Sequence, residues 1–317
     1  MNTKLFNLKE TIGLPFLPPI DIEGYADKCD EVPDLDPNYV WDKQVLRTMV
    51  AWWLNGDDEG IYLFGPTGAG KSSAIYQFCA YFNIPVYEKS CYEMMEYSEI
   101  IGHYTLMGGN TIYSYGILPR AMGVEGQPGV LLLNEVDRAN EGLLTSMNEV
   151  LCGRPLTLDG NGGEIIKPEK GFRFCATGNT NLLGGDQHIY TSAKRHDLSF
   201  SDRLWKAKVM YPDAETEKGI LQNILPGLPE TNIDLMIRIA NNIRDLFMGT
   251  KDEGPELEIT MSTRTLIRWA KLSYAFRNAS SEGINPMEMA LETSLTAIAP
   301  EEQKIAIHEI LNAEIGD

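Results

Sequence analysis

The chain contains one stretch whose residue types and spacing suit phosphate binding, GPTGAGKSS at residues 65–73. It matches the pattern G-x-x-x-x-G-K-[ST]. Glycines let backbone N–H groups wrap around phosphate oxygens, and a helix that starts there adds its positive end. Lys71 supplies a mobile charge for the β- and γ-phosphates, and Ser72 offers a hydroxyl to Mg²⁺. The candidate nucleotide-binding residues of this stretch are Gly65, Pro66, Thr67, Gly68, Ala69, Gly70, Lys71, Ser72 and Ser73.

A second stretch, GVLLLNEVDRAN at residues 129–140, predicts a buried strand that ends beside this glycine-rich loop. An Asp just beyond such a strand would hold Mg²⁺ through water, and a following Glu would polarise the attacking water. The chain has Asn134 and Glu135 at these positions. Asn134 keeps an acceptor oxygen but lacks the charge, so we expect a water-mediated contact with weakened metal affinity. Glu135 keeps the carboxylate of a general base.

Three further polar positions follow predicted strands or begin a helix. In CATGNTN, Asn179 or Thr177 would stand near the γ-phosphate and orient water, unless the segment is a simple turn. In FSDRLW, Arg203 could stabilise charge on the transferring phosphoryl group, often from a neighbouring subunit, or pair with Asp202 at the surface. In MSTRTLIRWAKL, Arg264 could close onto the nucleotide or remain an exposed helix residue.

Strands that alternate with helices must position these residues. Apolar runs predict five strands, at residues 60–64, 84–90, 129–137, 171–179 and 206–212, with helices at 42–56 and 71–82. This alternation predicts a parallel sheet with ligands at the carboxyl ends of its strands. The run HYTLMGGNTIYSYG predicts a β-hairpin around Gly108, Gly109 and Asn110. After Pro212 the pattern is helical.

The same patterns predict three regions. Residues 1–40 form a proline-rich, irregular arm that either packs on its own domain or reaches a neighbouring subunit. Residues 41–212 form the α/β core, with the hairpin in an insert near residues 97–120, and residues 213–317 form a helical subdomain.

Charge and composition limit the kinds of molecule to which the protein is expected to bind and where it is expected to reside. The 317 residues include 45 acidic and 27 basic side chains, a formal net charge of −18, which argues against binding to a phosphate backbone. No apolar run approaches the roughly 20 residues that span a bilayer, and the N-terminus lacks the apolar region of a signal peptide. Five scattered cysteines without a CxxC motif favour reduced thiols over disulfides or zinc. We therefore expect a cytoplasmic protein.

Taken in order, the glycine-rich loop, LLLNEVDRA, ATGNTN, SDR and MSTR resemble the motifs of an AAA+ ATPase over roughly residues 40–275. LLLNEVDRAN followed by LLTSMNEVL, and the segment YSEIIGHYTLMGGNTIYSYGILPRAM, are similar to the MoxR/CobS branch. The resemblance implies a P-loop NTPase fold: a parallel-sheet core with helices on both faces and a C-terminal helical lid. It also implies a six-membered ring that binds ATP and Mg²⁺ between subunits and acts on a protein client, often beside a von Willebrand A-domain partner.

The resemblance also assigns roles to the candidate residues. These are Walker A for Lys71 and Ser72, Walker B for Asn134 and Glu135, sensor 1 for Asn179, the arginine finger for Arg203, and sensor 2 for Arg264. Three other cations remain alternatives for the finger, namely Arg138, Lys194 and Arg195.

Three functions remain open at this point. The leading interpretation is an ATP-hydrolysing ring that remodels or loads a partner protein. A nucleotide-stabilised scaffold that hydrolyses slowly or not at all is favoured by Asn134 and opposed by Glu135, Asn179 and Arg264. A nucleic-acid motor, or a GTPase of the McrB group, is opposed by the acidic charge and by the absence of an MNTADR-like segment. The client, the choice between ATP and GTP, and the ring size are not indicated by the residues.

Overall fold

The computed structural model describes residues 2–183, 190, 192–249, 255–278 and 283–316. The chain divides into two compact units. The first comprises Met1–Pro37, Trp41–Gly65 and Lys71–Val209, and the second comprises Asn38–Val40, Pro66–Gly70 and Met210–Asp317.

The first unit carries the strands of the described residues. They are β1 (Thr3–Asn7), β2 (Asp21–Tyr25), β3 (Gly60–Phe64), β4 (Val86–Ser90), β5 (Gly102–Met107), β6 (Asn110–Tyr115), β7 (Val130–Asn134), β8 (Leu156–Leu158), β9 (Glu164–Ile166), β10 (Arg173–Gly178) and β11 (Leu204–Lys208). Five of them form one parallel sheet in the order β11-β3-β10-β7-β4. Residues 130–133 of β7 are fully buried, as expected for a central parallel strand. The predicted parallel α/β fold is confirmed.

The helices of the first unit connect its strands along the chain. They are α1 (Leu8–Ile12), α2 (Lys43–Asn55), α3 (Lys71–Tyr81), α4 (Ser98–Ile101), α5 (Ile117–Ala121), α6 (Glu141–Met147) and α7 (Leu198–Asp202). The side chain of Asp42 caps α2 by accepting from the backbone N–H groups of Gln44 and Val45. Helix α3 packs against β3 and β10, so the residues at its start lie at the carboxyl edge of the sheet.

The fifth strand of the sheet differs from its predicted bounds of 206–212. It begins at Leu204 and ends at Lys208, because it pairs with β3 from Gly60 to Phe64 and its partner strand ends there. One more backbone bond, from Val209 N to Phe64 O (2.7 Å), closes the pairing. The apolar residues that follow have no strand to pair with in this sheet, and an apolar run alone does not show where a partner ends.

The N-terminal arm is irregular only in part: residues 26–40 contain no helix or strand, but the expectation was wrong for the residues before them. Strands β1 and β2 pair antiparallel around α1, and the prolines at 15, 18 and 19 lie in the connection between α1 and β2. The arm packs on its own unit: Tyr25 N donates to Phe82 O (3.1 Å), and the Tyr25 hydroxyl donates to Pro128 O (2.7 Å). The prolines exclude a long helix, but they leave room for short strands on either side.

Two antiparallel hairpins extend the first unit. The predicted hairpin is confirmed as β5–β6, paired from Gly102↔Tyr115 to Met107↔Asn110. Its turn places Gly108 and Gly109 at φ +59° and +84°, which is the left-handed geometry that tight hairpins require. The second hairpin, β8–β9, was not predicted, because its strands have only three residues each.

The second unit is helical after Pro212, as predicted. Its helices are α8 (Ala214–Ile224), α9 (Glu230–Met248), α10 (Thr263–Ala275), α11 (Pro286–Ser294) and α12 (Glu301–Gly316). Helix α9 packs against α8, α10 and α12, and it buries a stripe of apolar residues at helical spacing. Throughout the described parts of both units, every helix is either too short or too polar to cross a membrane.

Candidate functional site

The glycine-rich loop has a backbone conformation that requires glycine at its first position. It leaves β3 at Gly65 with φ +147°, and a Cβ atom there would lie 2.0 Å from Val209 O. No side chain fits at that position, and the backbone angle is one that L-residues avoid. The loop ends where α3 begins at Lys71, so the predicted strand–loop–helix arrangement is present.

Hydroxyl and amide side chains from three elements meet at the carboxyl edge of the sheet. Asn134 Oδ1 accepts hydrogen bonds from Ser72 Oγ (2.6 Å) and Thr177 Oγ1 (2.9 Å). Strand pairing explains the second contact, because Ala176 lies opposite Leu133 and the next residues along each strand are Thr177 and Asn134. Ser72 belongs to the first turn of α3. The structure therefore brings the two predicted magnesium-contacting residues into direct contact.

Lys71 lies beside the predicted sensor. Its Nζ donates to Asn179 Oδ1 (3.0 Å) and to Gly65 O (2.9 Å). The ammonium also interacts electrostatically with the buried carboxyl group of Asp137. The expectation that Asn179 stands near the phosphate-binding lysine agrees with this geometry, whereas Thr177 contacts Asn134.

Asp137 fixes the backbone at Asn179, and sequence reasoning missed it. Its Oδ2 accepts from the backbone N–H groups of Asn179 (2.7 Å) and Thr180 (3.1 Å). The side chain is only 1% exposed, and burial raises the pKa of Asp137 although these N–H bonds act in the opposite direction. An acid between the apolar residues Val136 and Ala139, directly after a buried strand, was the available signal.

Glu135 occupies a backbone region that non-glycine residues rarely adopt, with φ +57° and ψ +41°. Residues in such conformations concentrate at functional sites. Its carboxylate forms an ion pair with Arg138 Nη1 (2.7 Å), and the two side chains are 44% and 45% exposed. Ion pairs this exposed contribute about 0–1 kcal/mol. The carboxylate is therefore held only weakly, and a competing partner can release it.

Arg203 lies at the opposite end of the sheet from this edge. Its backbone O accepts from Gly60 N (3.1 Å), at the start of β3, whereas the phosphate-binding loop follows the end of β3. Four residue steps of a strand separate these levels by about 13 Å. The guanidinium donates to Ser199 O and to Cys152 Sγ (3.1 Å), and not to Asp202 as the surface alternative expected.

The other candidate cations have partners of their own or are exposed. Arg138 pairs with Glu135, and Lys194 Nζ pairs with Glu93 Oε1 (2.9 Å). Arg195 is exposed. The structure thus gathers Lys71, Ser72, Asn134, Glu135 and Asn179. Of the finger candidates, Arg138 contacts this group through Glu135, and Arg203 lies outside it.

Within the second unit, Pro66–Gly70 of the loop contacts the start of α10. A Cβ atom on Gly68, whose φ is +69°, would lie 2.6 Å from Ser262 Oγ and 3.9 Å from Arg264 Cβ. Ser262 caps α10 by accepting from Thr265 N (3.1 Å). Arg264 is exposed in the first turn of this helix. It therefore lies where its long side chain can reach a group bound at residues 66–70.

A buried ion pair holds the segment that leads into α10. Arg244 Nη1 and Nη2 donate to the two carboxylate oxygens of Glu217 (2.8 and 2.7 Å), and Arg244 Nε donates to Met261 O (2.7 Å). Thr263 Oγ1 adds a bond to Glu217 Oε1 (2.8 Å). Residues 261–263 are thereby fixed on both sides of Ser262. Sequence reasoning did not find this cluster.

Two family profiles match the chain in the order that the two units show. The profile of the AAA domain (dynein-related subfamily) matches residues 60–194, and the CbbQ/NirQ/NorQ C-terminal profile matches residues 217–314. The chain belongs to the MoxR/CobS-like branch of the AAA+ ATPase family.

Curated relatives of this AAA+ protein match most of its length. The aerobic cobaltochelatase subunit CobS of Sinorhizobium sp. is 26% identical over 290 residues, 85% of this chain and 83% of the relative. Protein NorQ of Paracoccus denitrificans is 28% identical over 217 residues, covering 68% and 74%. The putative chaperone BssE of Thauera aromatica is 24% identical over 274 residues, covering 84% and 89%.

AAA+ proteins bind their nucleotide with Mg²⁺, and the oxygen atoms at the sheet edge fit that ion. Ser72 Oγ and Thr177 Oγ1 converge on Asn134 Oδ1, which gives three hard oxygen donors and no nitrogen or sulfur ligand at this point. Ser72 and Asn134 would hold the ion, Asn134 through water. When bound, Mg²⁺ neutralises negative charge on phosphate oxygens.

Proposed function

We propose that this AAA+ protein hydrolyses ATP in the presence of Mg²⁺, as a ring with nucleotide between neighbouring subunits, and uses the cycle to remodel or load a partner protein. One observation carries the proposal. The phosphate-binding loop, the Ser72–Asn134–Thr177 contacts and the Lys71–Asn179 contact all lie at one edge of a parallel sheet. This is where parallel α/β sheets bind ligands.

Each side chain has one task in this proposal. Residues 65–73 wrap the phosphates with backbone N–H groups, and Lys71 neutralises charge on them. Glu135 leaves Arg138 and accepts a proton from the attacking water. Asn179, oriented through Asp137, positions that water near the γ-phosphate. Arg264 contacts the nucleotide from the helical region of residues 213–317, which acts as a lid.

Arg203 completes the site of a neighbouring subunit. Its position about 13 Å along β3 from the phosphate-binding end supports this assignment, because a guanidinium at that distance does not reach a phosphate in its own subunit. A finger supplied in trans also makes hydrolysis depend on assembly. We assign a ring of six on family resemblance.

The proposed client is a protein. Curated relatives include a chelatase subunit and a putative chaperone, which supports action on other proteins. The net charge of −18 disfavours nucleic acid as the client. We further propose a von Willebrand A-domain protein as a partner, again by resemblance to this branch.

The second candidate function is a nucleotide-stabilised scaffold with slow or absent hydrolysis. Asn134 favours it, because the neutral amide accepts from Ser72 and brings no charge to the metal. The retained carboxylate of Glu135 and the Lys71–Asn179 contact oppose it.

Steady-state phosphate release separates the two functions. We expect turnover by the wild-type protein with ATP and Mg²⁺, and loss of nucleotide binding and turnover in Lys71→Ala. We expect Glu135→Gln to retain nucleotide binding and to lose about 10²–10⁴-fold in turnover. Glu302→Gln, at an exposed position of α12, is the matched control. Equal turnover in Glu135→Gln and wild type would contradict the assignment of the base, and GTP in parallel reactions tests the choice of nucleotide.

A further inference from the structure

We infer that Glu88 supplies, from the neighbouring strand β4, the negative charge toward Mg²⁺ that Asn134 lacks. The inference rests on the proposed function, since it concerns the metal of the same nucleotide site. Glu88 belongs to none of the motifs that the sequence revealed, and it lies 46 residues before Asn134 in the chain.

Strand pairing places Glu88 beside Asn134. Strands β4 and β7 are adjacent and parallel, with Glu88 opposite Leu132 and Ser90 opposite Asn134. Side chains two residues apart on a strand share a face, and paired residues of adjacent strands do so too. Glu88 and Asn134 therefore project to the same face of the sheet at its carboxyl edge. A side chain as long as that of Glu88 spans the two-residue offset.

Helix α3 contacts both residues on this face. Ser72 donates to Asn134 Oδ1 (2.6 Å), and the Tyr76 hydroxyl donates to Glu88 Oε2. Ser72 and Tyr76 are four residues apart, so they lie on one side of the helix. Asn134 Nδ2 donates to Glu88 Oε2 at 3.4 Å and joins the two contacts. The carboxylate is thus connected to the predicted metal-contacting pair through one amide group.

The charge of Glu88 is not neutralised by the protein. Within the described part of the chain, Glu88 forms no ion pair with a lysine, arginine or histidine, and its hydrogen-bond donors are the neutral Tyr76 and Asn134. Its side chain is exposed. Mg²⁺ is commonly held through one or two carboxylates, together with water and substrate phosphates. A single unpaired carboxylate beside Ser72 and Asn134 meets that need.

The same geometry explains an amide at position 134. Asn134 Nδ2 donates a hydrogen bond to Glu88, whereas an aspartate there would place a second negative charge against the first. The two positions behave as one unit in which one residue is charged and the other is neutral. The carboxylate lies on β4, and the amide on β7 is its hydrogen-bond donor.

A charge swap tests this inference with a readout other than turnover. Mn²⁺ replaces Mg²⁺, and electron paramagnetic resonance measures free Mn²⁺ in the presence of full-length protein and a non-hydrolysable ATP analogue. We expect Glu88→Gln to weaken Mn²⁺ binding about 10–100-fold, the range for losing a supporting carboxylate. We expect the double variant Glu88→Gln/Asn134→Asp to recover most of this loss, because it returns one charge to the site.

Two controls separate metal binding from a structural role. Glu302→Gln removes one exposed carboxylate elsewhere, and we expect it to bind Mn²⁺ like the wild type. Tyr76→Phe removes the hydroxyl that orients Glu88 but keeps the charge. If Glu88 served only as a hydrogen-bond acceptor for α3, then Tyr76→Phe would weaken Mn²⁺ binding as much as Glu88→Gln, and the double variant would show no recovery.

The outcomes distinguish this inference from the proposed function. Wild-type Mn²⁺ affinity in Glu88→Gln, with nucleotide binding and turnover intact, would overturn the inference and leave the ATPase assignment standing. No nucleotide-dependent Mn²⁺ binding by the wild type would overturn both. Thermal unfolding of each variant checks folding. If Glu88→Gln does not fold, the charge-swapped double variant decides: wild-type Mn²⁺ affinity supports the inference and weak binding overturns it.

Discussion

Two buried acids, one in each compact unit, solve the same problem in different ways. Asp137 and Glu217 are each 1% exposed, and each fixes a segment that carries a proposed nucleotide sensor. Asp137 accepts two backbone N–H bonds at Asn179 and Thr180. Glu217 receives a bidentate bond from Arg244 and a hydroxyl bond from Thr263. Asp137 thus accepts its hydrogen bonds from neutral N–H groups, whereas Glu217 accepts from a charged guanidinium.

The two acids differ in the partners that surround them, and this affects the residues that each acid holds in place. Asp137 accepts its hydrogen bonds from backbone N–H groups, whereas Lys71, whose charge also acts on Asp137, donates its hydrogen bond to Asn179. Glu217 has the guanidinium of Arg244, which also contacts the ring of Tyr211 at 4.5 Å and Met261 O at 2.7 Å. That network is suited to rigidity, because every charged group in it has a partner. The two acids therefore predict different responses to substitution.

Breaking the Glu217–Arg244 pair is expected to have the largest effect. Arg244→Met leaves a buried carboxylate without its counter-charge, which costs about 3–5 kcal/mol in the free energy of unfolding. Denaturant titration followed by helical circular dichroism measures this. Lys28→Met breaks the exposed pair with Asp34 and is the control, expected to leave stability close to that of the wild type. Similar values for both variants would contradict the comparison.

Truncation of Asp137 is expected to cost less in stability and more in chemistry. Asp137→Ala leaves the buried N–H group of Thr180 without its acceptor, which costs about 1–3 kcal/mol, whereas the N–H group of Asn179 is only partly buried and can be hydrated. Asp137→Asn keeps one oxygen that can accept both bonds, so we expect stability near wild type. Turnover should fall in the alanine variant more than in the asparagine variant. Equal turnover in both would show that Asp137 does not orient Asn179.

The stability of the wild type and of Asp137→Asn is expected to depend differently on pH. Burial raises the pKa of Asp137, so the folded state binds its proton more tightly than the unfolded state does. The resulting stabilisation is present below the unfolded pKa and is lost as pH rises through the raised pKa. Asp137→Asn does not titrate, so its stability relative to wild type should increase over that rise. A difference in stability that stays constant as pH rises above the ordinary pKa of an aspartate, measured by denaturant titration, would contradict a raised pKa of Asp137.

The smallest effect is expected at Arg138. Its pair with Glu135 is about half exposed on both sides, so Arg138→Ala should change the free energy of unfolding by less than about 1 kcal/mol. Because Glu135 is then free, turnover should be unchanged or raised a few-fold. A loss of turnover as large as that of Glu135→Gln would instead make Arg138 part of the hydrolytic site.

The sequence correctly predicted those elements that depend on residues close together in the chain. The glycine-rich loop, the apolar run of β7 and the Gly108-Gly109 turn each predict their structure from adjacent residues. The helices after Pro212 follow in the same way from apolar spacing. The arm was misjudged, since prolines exclude a helix but do not exclude short strands such as β1 and β2.

The sequence did not predict the supporting residues Glu88 and Asp137, because the pairing of distant strands brings each of them to its partner. Glu88 contacts Asn134 across 46 residues, and Asp137 contacts Asn179 across 42. The strand order β4-β7-β10 and the register of the strand pairs bring them together, and the spacing of a motif shows neither of these. The motifs predict which residues contact the nucleotide and its metal, whereas the order of the strands is needed to find the residues that support them.

Single-turnover hydrolysis tests the central claim most directly, with wild-type protein in excess over radiolabelled ATP and Mg²⁺. Chromatography of the bound nucleotide over time reports chemistry without product release. The account predicts conversion to ADP by the wild type, with Asn134 in place, and retention of bound ATP by Glu135→Gln. Bound ATP that persists in the wild type as long as in Glu135→Gln would contradict hydrolysis at this site and would establish a nucleotide-stabilised scaffold.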